Sequence, residues 1–374
     1  MKATLYTLLK GSSDWWIRIL RPLTSDWTRN LGQSVLPPEP PLQFLQPRNA
    51  DDLPGPYLAQ LRRAVIRKER RLYLLRNVYV SWHGVVFRNL RLFIPSVLPG
   101  LIKEFSGSFL LRQWSGPRAS LPITADEVVG LAHVNYAVGN YYHWLIDSLP
   151  RLLVLQRHYP ACPLLVPAPV PAYVKQTALM FGFDRLLPLD RGVVAAVSQL
   201  AMPDYVSEPG SQDPALVKEV RETILNSLNL MPSKSHRRIF VSRNQQPIRR
   251  LSNEEAIEPI LRQYGFESVS FEGMSFEDQV RTMQDAAVLV GVHGANLTNM
   301  LFMTPQTVVV ELMNENTLVL NDCYYCLASA LNLAYYNLPC QRIVKPGLYD
   351  SNDLDLVIDP EALRQLLHRL ITPF

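Results

Sequence analysis

Residues 288–300 read V-L-V-G-V-H-G-A-N-L-T-N-M. Val288 to Val292 form an apolar strand, His293 to Ala295 a turn of small residues, and the run from Asn296 the start of a helix. Gly291 and Gly294 let the backbone approach a ligand closely. The unpaired N–H groups at a helix start near Asn296 to Thr298 suit a phosphate. His293 falls at the carboxyl end of its strand, where open α/β sheets hold ligands. A shielded, packed turn histidine is the competing reading of His293.

Strand and helix patterns alternate on both sides of this stretch. Upstream, Glu127–Leu131 reads as a strand and Asn140–His158 as a helix with Trp144, Leu145, Leu149, Leu152 and Leu153 at helical spacing. Leu164–Pro167 is a short apolar strand and Ala172–Phe181 a helix. Leu216–Leu230 is helical, and the polar, basic segment 231–237 marks a domain boundary. A second alternation begins with the strand Arg238–Ser242. Ser252 and Glu255 form a capping box for the helix Asn253–Tyr264, which Gly265 stops. Ser268–Glu272 is a strand, Ser275 and Asp278 cap another helix, Thr307–Leu312 is a strand, and Asn321–Asn332 is a helix. Such alternation implies parallel sheets covered by helices.

Three further groups carry chemistry. In I-F-V-S-R-N, residues 239–244, Ser242 and Arg243 end a strand, and Arg249 and Arg250 follow. Guanidinium groups bind phosphate oxygens through paired, charge-assisted hydrogen bonds; surface charge is the alternative for Arg249 and Arg250. In N-Y-Y-H-W-L-I-D, residues 140–147, His143 and Asp147 stand four residues apart on one helix face. Such a pair can take a proton from a hydroxyl, or it can be a buried structural pair. An Asp in an apolar helix costs free energy unless it is paired or functional. Glu311 closes the strand V-V-V-E-L, where a carboxylate can accept ribose hydroxyls or be an ordinary strand end. Cys323 and Cys326 form a lone C-x-x-C in a helical run, and His133 and His143 lack ligand spacing, so the sequence indicates no metal site and no cofactor.

The chain has 374 residues, 48% of them apolar, which is enough for two cores. Its formal net charge of +4 fits anionic small molecules or a membrane surface and is too weak to argue for nucleic acid. Four cysteines are too few for a disulfide framework, and reduced thiols favour the cytosol. No secretory signal and no spanning helix is visible. Trp15, Trp16 and Trp27 precede a proline-dense stretch, read as an extended surface segment over 31–58. The run Arg62, Arg63, Arg67, Lys68, Arg70 and Arg71 reads as a solvated helix face or as a contact with anionic lipid. Residues 78–94 are β-branched and aromatic and read as strands.

Five motifs in order resemble glycosyltransferase family 61: N-Y-Y-H-W-L-I-D-S-L-P-R at 140–151, V-S-R at 241–243, R-R-L-S-N-E-E at 249–255, M-S-F-E-D-Q at 274–279 and G-V-H-G-A-N-L-T-N at 291–299. Each is short; five together, over roughly residues 125–345, are specific. The resemblance implies an α/β fold of GT-B type, with two Rossmann-like domains facing a cleft. Residues 1–125 would be an extension with a β-rich region, 126–232 the acceptor domain, and 233–374 the nucleotide-sugar domain. It implies an inverting, metal-independent transfer from a nucleotide-sugar donor, a UDP-sugar, to a glycan or glycolipid hydroxyl in polysaccharide biosynthesis. In that reading Asp147, assisted by His143, is the base, and Ser242, Arg243, Arg249, His293, Gly294, Ala295, Asn296 and Glu311 hold the donor. Asn296 stands where members often have Gly, and Asn244 where a second Arg is common. The location expected is cytoplasmic, peripheral at the inner face of the membrane. The rival readings are a non-catalytic nucleotide-sugar-binding subunit of the same fold and, lower, a hydrolase using a carboxylate pair.

Turnover is expected to survive chelation, because no Asp-x-Asp lies near a strand end; Asp353 and Asp355 form a D-L-D beyond the sheet strands. Complete loss of activity in EDTA, restored by Mn²⁺ or Mg²⁺, would contradict this.

Overall fold

A computed structural model of the chain describes residues 32–371 apart from 62–64, 89–90, 106, 108, 111–112, 114–119, 124–126, 207–209, 211, 232–233, 316–320 and 345–352. Trp15, Trp16, Trp27, Arg62 and Arg63 lie outside the described residues. The chain divides into two compact units. One comprises the described residues of Met1–Pro40 and Arg67–Glu208, the other those of Pro41–Ile66 and Pro209–Phe374.

The first unit is built on a nine-stranded mixed sheet. Its strands are β1 (Gly32–Leu36), β2 (Arg70–Ser81), β3 (Val86–Arg88), β4 (Arg91–Leu92), β5 (Ser120–Ile123), β6 (Val129–Leu131), β7 (Leu164–Pro167), β8 (Leu186–Leu189) and β9 (Val194–Pro203). The main order is β8-β7-β6-β9-β2-β3-β4, with β1 paired to β2 and β5 to β9. Strands β8, β7, β6 and β9 run parallel, whereas β2 is antiparallel to β9. In chain order the parallel part reads third-second-first-fourth, one half of a doubly wound sheet. Its direction reverses between β6 and β9, and the helix that follows β6 therefore starts at a switch point.

That helix departs from the expected α-helix over Asn140–His158. His143–Ser148 is π-helical, and α1 (Leu149–His158) continues from it. Pro150, just after the π-helical turn, supplies no N–H to the helix. The Ser148 hydroxyl donates to the His143 carbonyl at 2.9 Å and accepts from Val134 N–H at 3.2 Å. It thereby ties the widened turn to the loop after β6. Helix α2 (Ala172–Met180) follows β7, and Trp144 donates its indole N–H to Thr177 of α2 at 2.8 Å.

The basic run is not a helix face where it is described. Val65–Arg67 is a strand and Arg70 opens β2, because Leu72, Leu75, Val78 and Val80 each bury in the sheet's core. Arg67 pairs with Glu39, and Arg71 with Glu69 at 2.8 Å. In the proline-dense stretch, β1 is an edge strand against β2, and Gly55–Leu61 is a helix with Pro56 in its first turn.

The second unit carries a six-stranded sheet of β10 (Arg237–Val241), β11 (Phe266–Val269), β12 (Ala286–Val292), β13 (Val308–Asn314), β14 (Ala334–Arg342) and β15 (Leu356–Val357). Its order is β11-β10-β12-β13-β14-β15. The first five strands are parallel, and β15 is antiparallel at the edge. The parallel part reads second-first-third-fourth-fifth, a doubly wound order whose switch point lies between β10 and β12. Helices α3 (Pro214–Ser227), α4 (Glu254–Gln263), α5 (Phe276–Gln284), α6 (Cys323–Ala330) and α7 (Pro360–Ile371) belong to this unit. Apolar residues of α4 and α7, among them Ile257, Leu261, Leu363 and Leu367, pack on Phe240, Val290 and Val310.

Two end signals behave as their chemistry dictates. Ser275 accepts from Asp278 N–H at 3.1 Å, and Gly265 takes φ +69 after α4. The capping box at Ser252 and Glu255 does not form. Asn253 is the N-cap, and its amide instead exchanges two hydrogen bonds with the Ile358 backbone, at 2.8 and 3.0 Å. The strand expected over Ser268–Glu272 is set earlier, at Phe266–Val269, which leaves Glu272 in the following loop. Four cysteines are buried and free. Among the described residues no helix is long and apolar enough to cross a membrane.

The loop after β6 supplies a stability test. His133 is buried, and burial, with the Arg151 charge second, pushes its pKa down to about 4. Its unfolded value is 6.5, so the neutral ring's contribution is complete above about pH 6.5 and is lost as the pH falls through 4. About 3 kcal/mol should be lost across that window. His133→Gln should flatten the dependence of unfolding free energy on pH between 6.5 and 4; an unchanged slope in chemical denaturation would contradict it.

Candidate functional site

In the second unit the chain ends two strands at the switch point. Ser242 and Arg243 follow β10, and His293 and Gly294 follow β12. Arg243 is 5% exposed. Its Nε donates to the Arg249 carbonyl at 3.2 Å and its Nη2 to the Ile248 carbonyl at 3.4 Å. Among the described residues no carboxylate lies within ion-pair distance of it. Burial lowers the guanidinium's pKa, and the neighbouring Arg249 charge lowers it further. Two cations therefore stand side by side in a partly desolvated place, which an anion would relieve.

Gly294 makes this packing feasible. A Cβ there would sit 2.2 Å from Arg243 Nη1 and 2.7 Å from its Cζ. The guanidinium lies directly over the glycine, so the requirement is for space. The backbone is extended there, at φ 164, and asks for no special residue. The helix expected after the turn is a 3₁₀ helix, Ala295–Phe302, with Gly294 as its N-cap. Its first N–H groups have no acceptor inside the helix.

Arg249 holds φ +57, a left-handed conformation that non-glycine residues avoid. Its Nε lies 3.7 Å from Asp353 Oδ1. The Arg250 main-chain N–H and guanidinium bond Asp355 at 2.9 and 3.2 Å. These contacts tie the 249–250 loop to the segment ahead of β15. Arg249 and His293 line one small pocket with Asn314 and Leu354.

His293 is 7% exposed, and its Nδ1 donates to Glu311 Oε1 at 2.5 Å. Glu311 is wholly buried, and its other oxygen accepts from Tyr335 Oη at 2.5 Å. Both carboxylate oxygens are occupied, so Glu311 acts on the ring of His293. A direct bond to a ribose hydroxyl, the role expected from its strand-end position, would need one of those oxygens released. Tyr324 of α6 packs edge-on against His293 with ring centroids 5.1 Å apart. Ser242 accepts from Asn244 N–H at 3.3 Å and hydrogen-bonds Glu254, so its hydroxyl shapes the turn.

Glu272, in the loop after β11, escaped the sequence reading. Burial pushes its pKa up, but hydrogen bonds from Ser270, Gln246 and Asn296 outweigh burial and hold it below the usual carboxylate value. Asn296 reaches it at 3.3 Å. The turn after Gly294 is thus anchored to an ionised carboxylate.

The first unit holds a second histidine–carboxylate pair. His143 Nδ1 donates to Asp147 Oδ2 at 2.6 Å. Asp147 is wholly buried, whereas the His143 side chain is 18% exposed. The pair meets its surroundings through His143, whose ring lies 5.2 Å from that of Tyr136. Four residues beyond Asp147, Arg151 is buried and donates to the Ala132, His133 and Pro203 carbonyls at 2.6 to 3.1 Å. Burial lowers the pKa of the Arg151 guanidinium, and nearby Tyr205, Asp204 and Asp147 oppose that shift. The i, i+4, i+8 spacing of His143, Asp147 and Arg151 was the signal for this arginine.

Residues 141–310 match the family model described as glycosyltransferase 61, which bears out the resemblance over that span. An EGF domain-specific O-linked N-acetylglucosamine transferase of Drosophila melanogaster is 27% identical over 142 residues, 37% of this chain and 27% of that protein. A beta-1,2-xylosyltransferase of Arabidopsis thaliana is 49% identical over 41 residues, 11% of this chain and 8% of that protein. The matches thus span far less than two thirds of either relative's length.

Gly294→Ala should cost about 1–3 kcal/mol, the usual cost of overpacking. Arg243→Ala should remove most of that cost, so the double variant will be more stable than the sum of the singles predicts. Additive losses in denaturant titrations would mean that the side chain escapes the new methyl group at no cost.

Proposed function

We propose that this chain, with the glycosyltransferase 61 pattern across residues 141–310, moves a sugar from a nucleotide-diphosphate donor to a hydroxyl of a glycan or glycolipid acceptor. The observation that carries the reading is Arg243, a buried guanidinium laid over Gly294 at a switch point, with Arg249 beside it and, among the described residues, no carboxylate within ion-pair distance. A diphosphate is an anion whose charge such a place accepts. Its leaving charge is compensated there as the sugar–phosphate bond breaks. In this reading Arg243, Arg249, His293 and the backbone of Gly294, Ala295 and Asn296 bind the donor. Ser242 shapes the turn beneath them and Glu311 orients His293.

The His143–Asp147 pair supplies the base. Nδ1 of His143 is held by Asp147, which leaves Nε2 to take the acceptor proton. The acceptor oxygen attacks the anomeric carbon, the carbon–phosphate oxygen bond breaks, and its electron pair leaves with the diphosphate. One displacement inverts the anomeric centre. Asp147 is wholly buried and positions the ring; its charge stabilises the imidazolium that forms. In this reading the fold is of GT-B type, and no step calls on a metal. A UDP-sugar donor and a role in polysaccharide biosynthesis complete the proposal. It is set at the cytoplasmic face of a membrane because of the basic run at 61–72.

Arg243→Ala should weaken nucleoside-diphosphate binding by about 1.5–3 kcal/mol. Unchanged calorimetric affinity across a panel of nucleotides would remove Arg243 from the site. His143→Ala and Asp147→Asn should each lower kcat per folded molecule at least about 10²-fold with donor affinity kept, and the losses should not add in the double variant. Normal turnover with a lowered melting temperature would make the pair structural. Donor hydrolysis without acceptor, abolished by Asp147→Asn, would count against a non-catalytic binding subunit.

A further inference from the structure

His293 stands at the end of a buried hydrogen-bond chain that the proposed reaction leaves unexplained. Glu311 accepts from His293 Nδ1 and from Tyr335 Oη, each at 2.5 Å. Tyr335 in turn accepts from Asn337 Nδ2 at 3.0 Å. The Asn337 backbone exchanges two hydrogen bonds with the Asn49 amide: its N–H donates to Oδ1 at 3.1 Å, and its carbonyl accepts from Nδ2 at 2.7 Å. Arg48 N–H donates to the Tyr335 carbonyl at 2.8 Å. All of these side chains from His293 to Asn49 are buried, and Glu311 and Asn337 wholly so.

The direction of each bond follows from the inventory of donors. A carboxylate only accepts, so the single phenolic proton of Tyr335 goes to Glu311. The Tyr335 oxygen must then accept from Asn337, which fixes that amide with its NH₂ group toward the phenol. The backbone of Asn337 offers one donor and one acceptor, which fixes the Asn49 amide the same way. Each oxygen of the buried Glu311 carboxylate thus has one donor. The proton shared with His293 therefore sits on Nδ1, and the ring lines the same small pocket as Arg249. Register delivers the parts: Glu311 of β13 lies opposite Asn337 of β14, and Tyr335 shares a strand face with Asn337.

We propose that Tyr335, Asn337 and Asn49 are positioning residues that lock His293 in the Nδ1–H tautomer with Nε2 turned to the donor phosphates. The phosphate contact rests on the reading of His293 given above; the tautomer does not. The segment 45–51 thereby enters the site from far away in sequence, through its hold on β14.

The test uses the full chain labelled with ¹⁵N-histidine. The wild type, at a pH where His293 is neutral, should show a protonated Nδ1 and an unprotonated Nε2. Tyr335→Phe deletes one oxygen and leaves Glu311 a donor short, so the Nε2–H tautomer should become populated. Nucleoside-diphosphate affinity, read by calorimetry with UDP and GDP, should fall about 10-fold. A variant with the wild-type imidazole pattern and only a lower melting temperature would overturn the proposal. An Nε2–H tautomer in the wild type would also overturn it, and that measurement stands even if Tyr335→Phe fails to fold. A changed tautomer with unchanged nucleotide affinity would support the lock and remove His293 from the donor site.

Discussion

The second unit is organised around one close approach, the guanidinium of Arg243 over the Cα of Gly294. The contact needs a residue without a side chain at the first position after His293, and it needs the 243–249 loop to curl back so that the Ile248 and Arg249 carbonyls receive the cation. The left-handed Arg249 belongs to that curl. Folding a charged group to 5% exposure with no carboxylate at ion-pair distance among the described residues is unfavourable by itself. Such a residue is retained where something else uses the charge, and an anionic ligand is the simplest user. Neighbouring Arg249 strengthens the argument, since like charges at short range repel until an anion sits between them.

Two histidine–carboxylate pairs repeat one device in different settings. In each, a wholly buried carboxylate takes Nδ1 and leaves Nε2 as the working atom. His143 is the more open of the two and has tyrosine rings around it, which suits a group that exchanges a proton with a substrate. His293 is packed against Tyr324 and backed by a chain of fixed donors, which suits a group that must keep one orientation beside phosphate. The π-helical turn over His143–Ser148 widens the helix where its pair projects.

The alternation of strands and helices was legible because apolar runs such as Val288–Val292 and polar helix faces carry their period in the residues themselves. The turn after β12 was legible for a related reason: small residues at a strand end leave a mark in the sequence. The capping box at Ser252 was misread because Asn253 had a better use, pairing with the Ile358 backbone 105 residues away. The basic run was misread as helical because its charges masked the apolar residues Leu72, Leu75, Val78 and Val80 that bury β2 in its sheet. Tyr335, Asn337 and Asn49 carry no local signal at all. Their meaning arises only when β13 and β14 align in register and Arg48 and Asn49 bond to β14. Glu311 was singled out as a strand end, but it lies in the middle of β13, and its buried contacts depend on the same alignment.

The central claim is that the Arg243–Gly294 contact is an anion site for the donor diphosphate. A crystal structure of the chain with a bound nucleoside diphosphate tests it directly. The account predicts phosphate oxygens within hydrogen-bond distance of the Arg243 guanidinium and of the first N–H groups after Gly294, with His293 Nε2 turned toward them. A nucleotide bound elsewhere in the unit, with Arg243 still buried against its carbonyls and untouched by phosphate, would contradict it.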